Sequence, residues 1–422
     1  MNNSTGGTSR QKACAGAPAP PWWNASSALR FGSPGFKRVS RGATALQICV
    51  TVSGMGCTDL LPSLASGSSL LFIRLRSLGD TVLSTPLYAA LKAWRPDLRI
   101  AVLVESPNGE VLRHNPNVDQ VVTASESQGL FSSLLSRASA LRAIRAGRYD
   151  CCINLHGGST SAWLTLLSGS PHRVGLKSFR NAFAYNHLLD VPARKADGAK
   201  WHTVEYQMEW LRQLGLPERP IPSLRVVPAP ELEGPVWQRL SGLGLRPGSR
   251  YAVVQPTSKF FTKEWTAEGF AEVADHLARE HGLQVLLCGG PGESTKLQFV
   301  ASRCKEKVTI VGGISIGELL WVLSGAKLFV GNDSGPTHLA AALGVPSVVL
   351  FGSSDAAVWS PWKAPFQRVQ NPFDCNPCPG YRCLVYDEPR CILSITSDQV
   401  KLAVDAALRA AGTQTSAETA PI

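Results

Sequence analysis

The chain has 422 residues, 44% of them hydrophobic and 17% charged, with a formal net charge of +11. That length exceeds one ordinary core and predicts two domains. The composition is that of a globular protein, and no apolar run reaches the roughly eighteen residues of a membrane-spanning helix, so a helical membrane span is excluded. The charge is uneven. Residues 1–67 carry six Lys/Arg against one acid, residues 68–222 eighteen against twelve, and residues 223–422 eighteen against eighteen. A basic first half predicts an anionic partner. With no nucleic-acid motif beside it, an anionic glycolipid at a membrane surface is favoured over nucleic acid, and solvated surface charge is the plain alternative.

In chain order, residues 1–67 are rich in Gly, Ser, Ala and Pro without periodicity, and read as a disordered extension. Ala43 to Val52 is apolar but too short for a signal peptide and lacks its cleavage site, so a cytoplasmic protein is expected. Met55 offers an internal start just ahead of the first strand. From Leu70 the pattern alternates. Strands are predicted at 70–75, 99–104, 118–122 and 149–155, and helices at 80–94, 128–147 and 201–214. Six prolines between Pro217 and Pro235 mark a linker. A second alternating half follows, with strands at 251–255, 284–288, 327–330 and 346–351 and helices at 266–281, 293–303, 315–324 and 336–343. Alternation of this kind argues for parallel sheets covered on both faces. The expected division is a first Rossmann-like domain, 68–222, and a second, 223–395, with a cysteine-rich loop at 375–391. A final helix at 396–411 and a flexible tail at 412–422 complete it.

The stretch Phe329 to Leu343 is the most informative. A β-type run stops at Gly331-Asn332-Asp333-Ser334-Gly335, and Pro336 opens an Ala/Leu-rich helix. Proline suits the first helical position, where its missing N–H would be unpaired anyway. The glycines allow close backbone approach. Free amides and the helix dipole then attract an anion, so this turn reads as a diphosphate cradle, an ordinary strand-to-helix connection being the alternative. A second strand-to-helix turn, Arg76-Ser77-Leu78-Gly79-Asp80, lies near the start, and Pro256-Thr-Ser-Lys-Phe-Phe-Thr-Lys263-Glu-Trp265 lies between the two.

In order and spacing, these three stretches resemble glycosyltransferase family 9, the heptosyltransferases of lipopolysaccharide core synthesis. The resemblance runs from about Leu70 to the end and leaves out the first sixty-odd residues. It implies the GT-B fold, two Rossmann-like domains facing each other across a cleft, with the last helix crossing back onto the first domain. It implies an inverting, single-displacement transfer of a heptose-type sugar from an ADP-sugar to a lipid A–core acceptor. The same fold with another nucleotide sugar, or an epimerase or hydrolase, is the alternative.

Such a transfer needs a base for the acceptor hydroxyl, positive charge or N–H dipoles for the leaving diphosphate, and pockets for nucleotide and sugar. Asp80 matches the family's proposed base; capping of the following helix is its alternative role. Lys263 matches the Lys-x-Trp element and suits the diphosphate, with Lys259 a rival. Thr257, Ser258, Ser334, Gly335, Pro336, Thr337 and His338 complete the donor site. Asp333, awkward beside phosphate, is expected to bind sugar hydroxyls or orient the loop. Glu293, after Gly289-Gly-Pro-Gly292, is the expected ribose ligand, with helix capping as the alternative. On the acceptor side Arg76, Arg173, Lys177 and Arg180 suit carboxylates or phosphates, and His156-Gly-Gly158 either lines the cleft or makes a plain turn. No Asp-x-Asp pair occurs, which agrees with metal-independent transfer needing no cofactor beyond the donor. Cys375, Cys378, Cys383 and Cys391 admit a structural zinc, disulfides in an oxidising setting, or free thiols. A monomer, peripheral on the inner face of the cytoplasmic membrane, is the expected state.

Overall fold

The computed structural model describes residues 59–125, 130–246, 248–378 and 380–418. Its strands form two parallel six-stranded sheets. The first holds β1 (Ser69–Ile73), β2 (Arg99–Glu105), β3 (Gln120–Ala124), β4 (Cys151–Asn154), β5 (His172–Leu176) and β6 (His187–Leu189), in the order β3-β2-β1-β4-β5-β6. The second holds β7 (Tyr251–Gln255), β8 (Gln284–Cys288), β9 (Val308–Val311), β10 (Leu328–Asn332), β11 (Ser347–Leu350) and β12 (Phe366–Val369), in the order β12-β11-β10-β7-β8-β9. Counted from its own first strand, each sheet has the same doubly wound order, which reverses between β1 and β4 and between β7 and β10. Crevices at the carboxyl ends of such reversals are where ligands bind in open α/β sheets. This is the GT-B arrangement expected from the sequence.

The central strands are apolar and buried along their length, as parallel sheets covered by helices require. The strands absent from the sequence reading, β5, β6, β9 and β12, lie on the outer flanks of the sheets, where polar residues such as His172, His187 and Gln367 break the apolar signal. Helices Ser159–Leu167 and Glu233–Gly242 were also unforeseen. The single helix expected over 80–94 is two, Leu78–Leu83 and Thr85–Trp94. Pro86 has no N–H for the carbonyl of Val82, and the Thr85 hydroxyl donates to that carbonyl instead, at 2.8 Å.

Two boundaries need correction. Most of the extension expected to be disordered lies outside the described residues, but its last part is structured. Leu60–Ser63 forms a helical turn whose Leu60, Leu61 and neighbouring Leu64 are buried, and Leu61 N–H donates to Leu214 O at 2.9 Å. Arg95 closes that turn by donating to the carbonyls of Leu61 and Leu64. At the other end, the last helix runs Ser397–Glu418, through most of the expected tail. Among the described residues it packs on β10, β11, β12 and helix Ala267–His281. Its stripe Val400, Val404 and Ala407 joins the core of the second sheet beside Phe270, Val273 and Leu350, because residues at i, i+4 and i+7 make one apolar face.

The two halves belong to one compact unit. Helix Leu78–Leu83 packs on helix Gly335–Ala342. Glu110 accepts from Gly317 N–H at 2.7 Å, at the start of helix Ile316–Ser324. Lys200 pairs with Asp355, His202 Nε2 meets Ser360 O at 2.9 Å, and the rings of His202 and Trp362 lie 4.7 Å apart.

Candidate active site

Four loops leave the carboxyl ends of β1, β4, β7 and β10, the strands at the two reversal points. The loop after β1 carries Asp80 in the first turn of helix Leu78–Leu83. Its Oδ2 accepts from Ser77 N–H at 3.2 Å and Ser77 Oγ–H at 3.0 Å, and Arg74 Nη1 lies 3.7 Å from Oδ1. The carboxylate therefore caps its helix while its side chain keeps 24% exposure, which a proton acceptor requires. Arg74 itself is buried, with an unpaired Nε. The loop after β4 is tied by Asn154, whose Oδ1 accepts from His156 N–H and Gly157 N–H and whose Nδ2 donates to Tyr185 OH at 2.8 Å. It presents His156, whose pKa is pushed down to about 4 by burial first and then by the positive charges of Arg74 and Arg76, against the opposing charge of Asp80.

In the second half, Lys263 Nζ lies 2.8 Å from Asp333 Oδ2. Burial opposes the Asp333 charge, but Lys263 and His338 hold its carboxyl below the ordinary range. Lys259 is exposed, so Lys263 is the cation bound to the cradle. Gln255, not singled out from the sequence, is buried between the two loops. Its Nε2 donates to Thr257 Oγ1, and its Oε1 accepts from Ser334 Oγ at 3.3 Å. Asn332, also unforeseen, does the same for the backbone: Oδ1 accepts from Trp265 N–H at 3.2 Å and Nδ2 donates to Pro256 O at 3.2 Å. The available signal was a polar residue closing an otherwise apolar strand in both β7 and β10. Thr337 is buried with its hydroxyl donating to Asn332 O at 2.7 Å, and Thr257 is equally buried. Both shape the loops from within.

The two halves meet at the cradle. A Cβ built on Gly79 would lie 2.8 Å from His338 Cδ2, and one built on Gly335 would lie 2.8 Å from Leu78 Cδ2. These glycines let the first turns of the two helices touch. His338 is buried with an unpaired Nδ1. Burial first holds its pKa down, to about 4, with His202 and Lys263 acting in the same sense and Asp333 and Asp80 against it. The imidazole is therefore neutral at physiological pH. Gly79→Ala should cost about 1–3 kcal/mol by overpacking, or force the halves apart and lower activity. A thermal melt and turnover equal to the wild type would count against this close approach.

Most of the remaining expected site residues are held by partners of their own. Glu293 Oε2 accepts from Gly290 N–H at 2.7 Å, so the carboxylate closes its own turn. Arg173 is the second residue of β5, at the amino end of the sheet, and donates to Ala184 O and Ser170 O. The structure does not bring it to the cleft, because ligands gather at carboxyl ends. Arg76 pairs with Glu105 at 2.6 Å, Lys177 pairs with Asp190 at 3.3 Å, and Arg180 is exposed just beyond β5. Ser258 N–H donates to Glu264 Oε2 at 3.3 Å. The four clustered cysteines are unbridged, and the thiol of Cys391 is pushed up to about 11 by burial and its neighbours. They have the donor chemistry of a thiolate metal site, but no three of these described thiols converge to ligand spacing.

A sequence model of "Glycosyltransferase family 9 (heptosyltransferase)" matches residues 137–387, beginning after Asp80. The chain is 28% identical over 298 residues to lipopolysaccharide heptosyltransferase 3 of Escherichia coli K12, covering 67% of this chain and 82% of that one. It is 23% identical over 367 residues to lipopolysaccharide heptosyltransferase 1 of Pseudomonas aeruginosa, covering 81% and 98%. Among solved structures, a family 9 glycosyl transferase of Veillonella parvula superposes with a TM-score of 0.70 at 24% identity, covering 82% of this chain and 98% of that one. The E. coli heptosyltransferase WaaC with ADP gives 0.61 at 21% identity, covering 80% and 99%. With more than half its length matched and the same two-sheet fold, the chain belongs to glycosyltransferase family 9 and is a glycosyltransferase.

Proposed function

We propose that this enzyme transfers a heptose-type sugar from an ADP-sugar to a lipid A–core acceptor, with inversion and without a catalytic metal. One observation supports the reading: the first turns of helices Leu78–Leu83 and Gly335–Ala342 are in contact, which brings the turn that holds Asp80 against the turn that holds Asp333 and His338. In the proposed step Asp80 takes the proton of the acceptor hydroxyl as its oxygen attacks the anomeric carbon, and the bond from that carbon to the diphosphate breaks on the opposite face. The charge developing on the diphosphate falls to Lys263 and the free amides of the Gly335–Ala342 helix. Asp333 holds Lys263 in place until the diphosphate shares it, which gives the buried acid a purpose. The donor assignment leans on similar structures whose names specify ADP-heptose, ADP and ADP-2-deoxy-2-fluoro heptose.

Lys177 and Arg180, beyond the carboxyl end of β5, are proposed to meet the anionic acceptor, and Thr257, Ser258 and Glu293 to support the donor. The exposed pair Trp163 and Phe183, ring centroids 5.7 Å apart, adds an apolar surface next to this region. An exposed apolar pair supports contact with a membrane surface; a monomer at the inner face of the cytoplasmic membrane is the state proposed. No described helix is long and apolar enough to cross one.

The test is thermal-shift screening of the full chain against ADP-, UDP-, GDP- and CDP-sugars, since only ligands that prefer the native state raise its melting temperature. ADP-heptose should produce the largest rise. A larger response to a sugar carrying another base would replace the donor assignment.

A further inference from the structure

Away from the cleft, the second half carries a side-chain cluster that sugar transfer does not use. His276 and His281 lie in the last turns of helix Ala267–His281, and Asp405 lies on helix Ser397–Glu418. Both imidazoles turn Nε2 onto one oxygen, Asp405 Oδ1, each at 2.8 Å. Their ring centroids are 5.2 Å apart and the planes are inclined at 78°. Among the described residues, this is the one set of three His, Cys, Asp or Glu side chains whose ligand atoms all lie within 4.8 Å of one another. The three are 17%, 24% and 26% exposed, so an ion can enter from solvent.

Two imidazoles and a carboxylate are the donor set of three-ligand zinc sites, in which water takes the fourth position. A tetrahedral ion with bonds of about 2.0–2.1 Å holds its ligand atoms about 3.3 Å apart, so each Nε2 needs to move only about 0.5 Å from Asp405 Oδ1. On binding, each ring proton moves from Nε2 to Nδ1 and the Nε2 lone pair turns to the ion. Three nearby cations are already paired: Lys401 with Glu272 and Asp398, Arg279 with Glu306, and Arg303 with Glu268. The helix Ala267–His281 starts beside Trp265, near the cleft, and ends fifteen residues on, about 20 Å away at 1.5 Å per residue. An ion at its far end cannot take part in sugar transfer.

We propose that His276, His281 and Asp405 bind a divalent transition-metal cation of the zinc class, which staples the C-terminal helix to helix Ala267–His281. The competing description is a purely hydrogen-bonded His–Asp–His clamp. The test uses the full chain, stripped with chelator, carrying Cys375→Ser and Cys378→Ser so that thiols do not compete. Added Co2+ should give weak visible d–d absorption without a thiolate charge-transfer band. Zn2+ should displace it and raise the melting temperature by several degrees, and turnover should match with and without metal. His281→Gln should abolish both the absorption and the rise; if that variant does not fold, Asp405→Asn serves the same comparison. Zn2+ leaving the Cys-substituted protein and His281→Gln equally unmoved, or Co2+ binding that survives His281→Gln, would overturn the site.

Discussion

Asp80→Asn should lower turnover by roughly two to four orders of magnitude, the span attributed to a positioned general base, while ADP affinity stays near that of the parent. The substitution separates the two roles of this side chain. Asn keeps an oxygen for Ser77 N–H and Ser77 Oγ–H, now 3.2 and 3.0 Å from the carboxylate, so the helix start survives. It loses the basicity needed to take a proton. Asp80→Ala loses both and should cost about 1 kcal/mol of stability besides, the ordinary value of a helix cap. Steady-state kinetics, calorimetric titration with ADP and a thermal melt read the three quantities independently. Undiminished turnover in Asp80→Asn would remove this residue as the base and leave it a cap.

Lys263→Ala should weaken ADP binding by about tenfold to a hundredfold, the range of one charge-assisted hydrogen bond, and should lower turnover with it. It should also destabilise the protein by about 3 kcal/mol, because it strands the carboxylate of Asp333, only 4% exposed, without its partner at 2.8 Å. Adding Asp333→Asn removes the stranded charge. The double variant should regain most of the melting temperature and none of the ADP affinity. The pH dependence has a definite sign. Asp333 titrates below the ordinary carboxyl value in the folded protein, so its stabilisation is fully present above the unfolded value and is lost as pH falls through the lower folded one. The stability gap between parent and Lys263→Ala should therefore narrow below about pH 4. Unaltered ADP affinity in Lys263→Ala would detach this lysine from the diphosphate.

Both predictions concern residues legible in the primary structure, and the reason is local. Asp80, Lys263 and the run Asp333 to His338 sit at strand-to-helix turns, where apolar periodicity switches and Gly, Pro and Ser punctuate the chain. Such signals span ten residues or fewer. Gln255 and Asn332 were passed over because a polar residue at the end of an apolar strand has no meaning until the neighbouring loop is known. Here those loops are Thr257 and Ser334 for one residue, and Trp265 and Pro256 for the other. Arg173 shows the converse. Residue type suggested an anion ligand, but its position two residues into β5 puts it at the wrong end of the sheet.

By itself the amino-acid sequence determined the α/β class, the repetition of that pattern in two halves and the family, since each depends on periodicity or on contiguous motifs. Tertiary structure alone decided which flanking strands complete the sheets and that the stripe of the C-terminal helix joins the core of the second one. It alone decided that Gly79 meets His338, and that His276 and His281 share one oxygen of Asp405, 129 and 124 residues further on. Those outcomes depend on packing between segments far apart in the chain. A hydrophobic stripe or a lone histidine does not name its partner; the shape of the assembled core does.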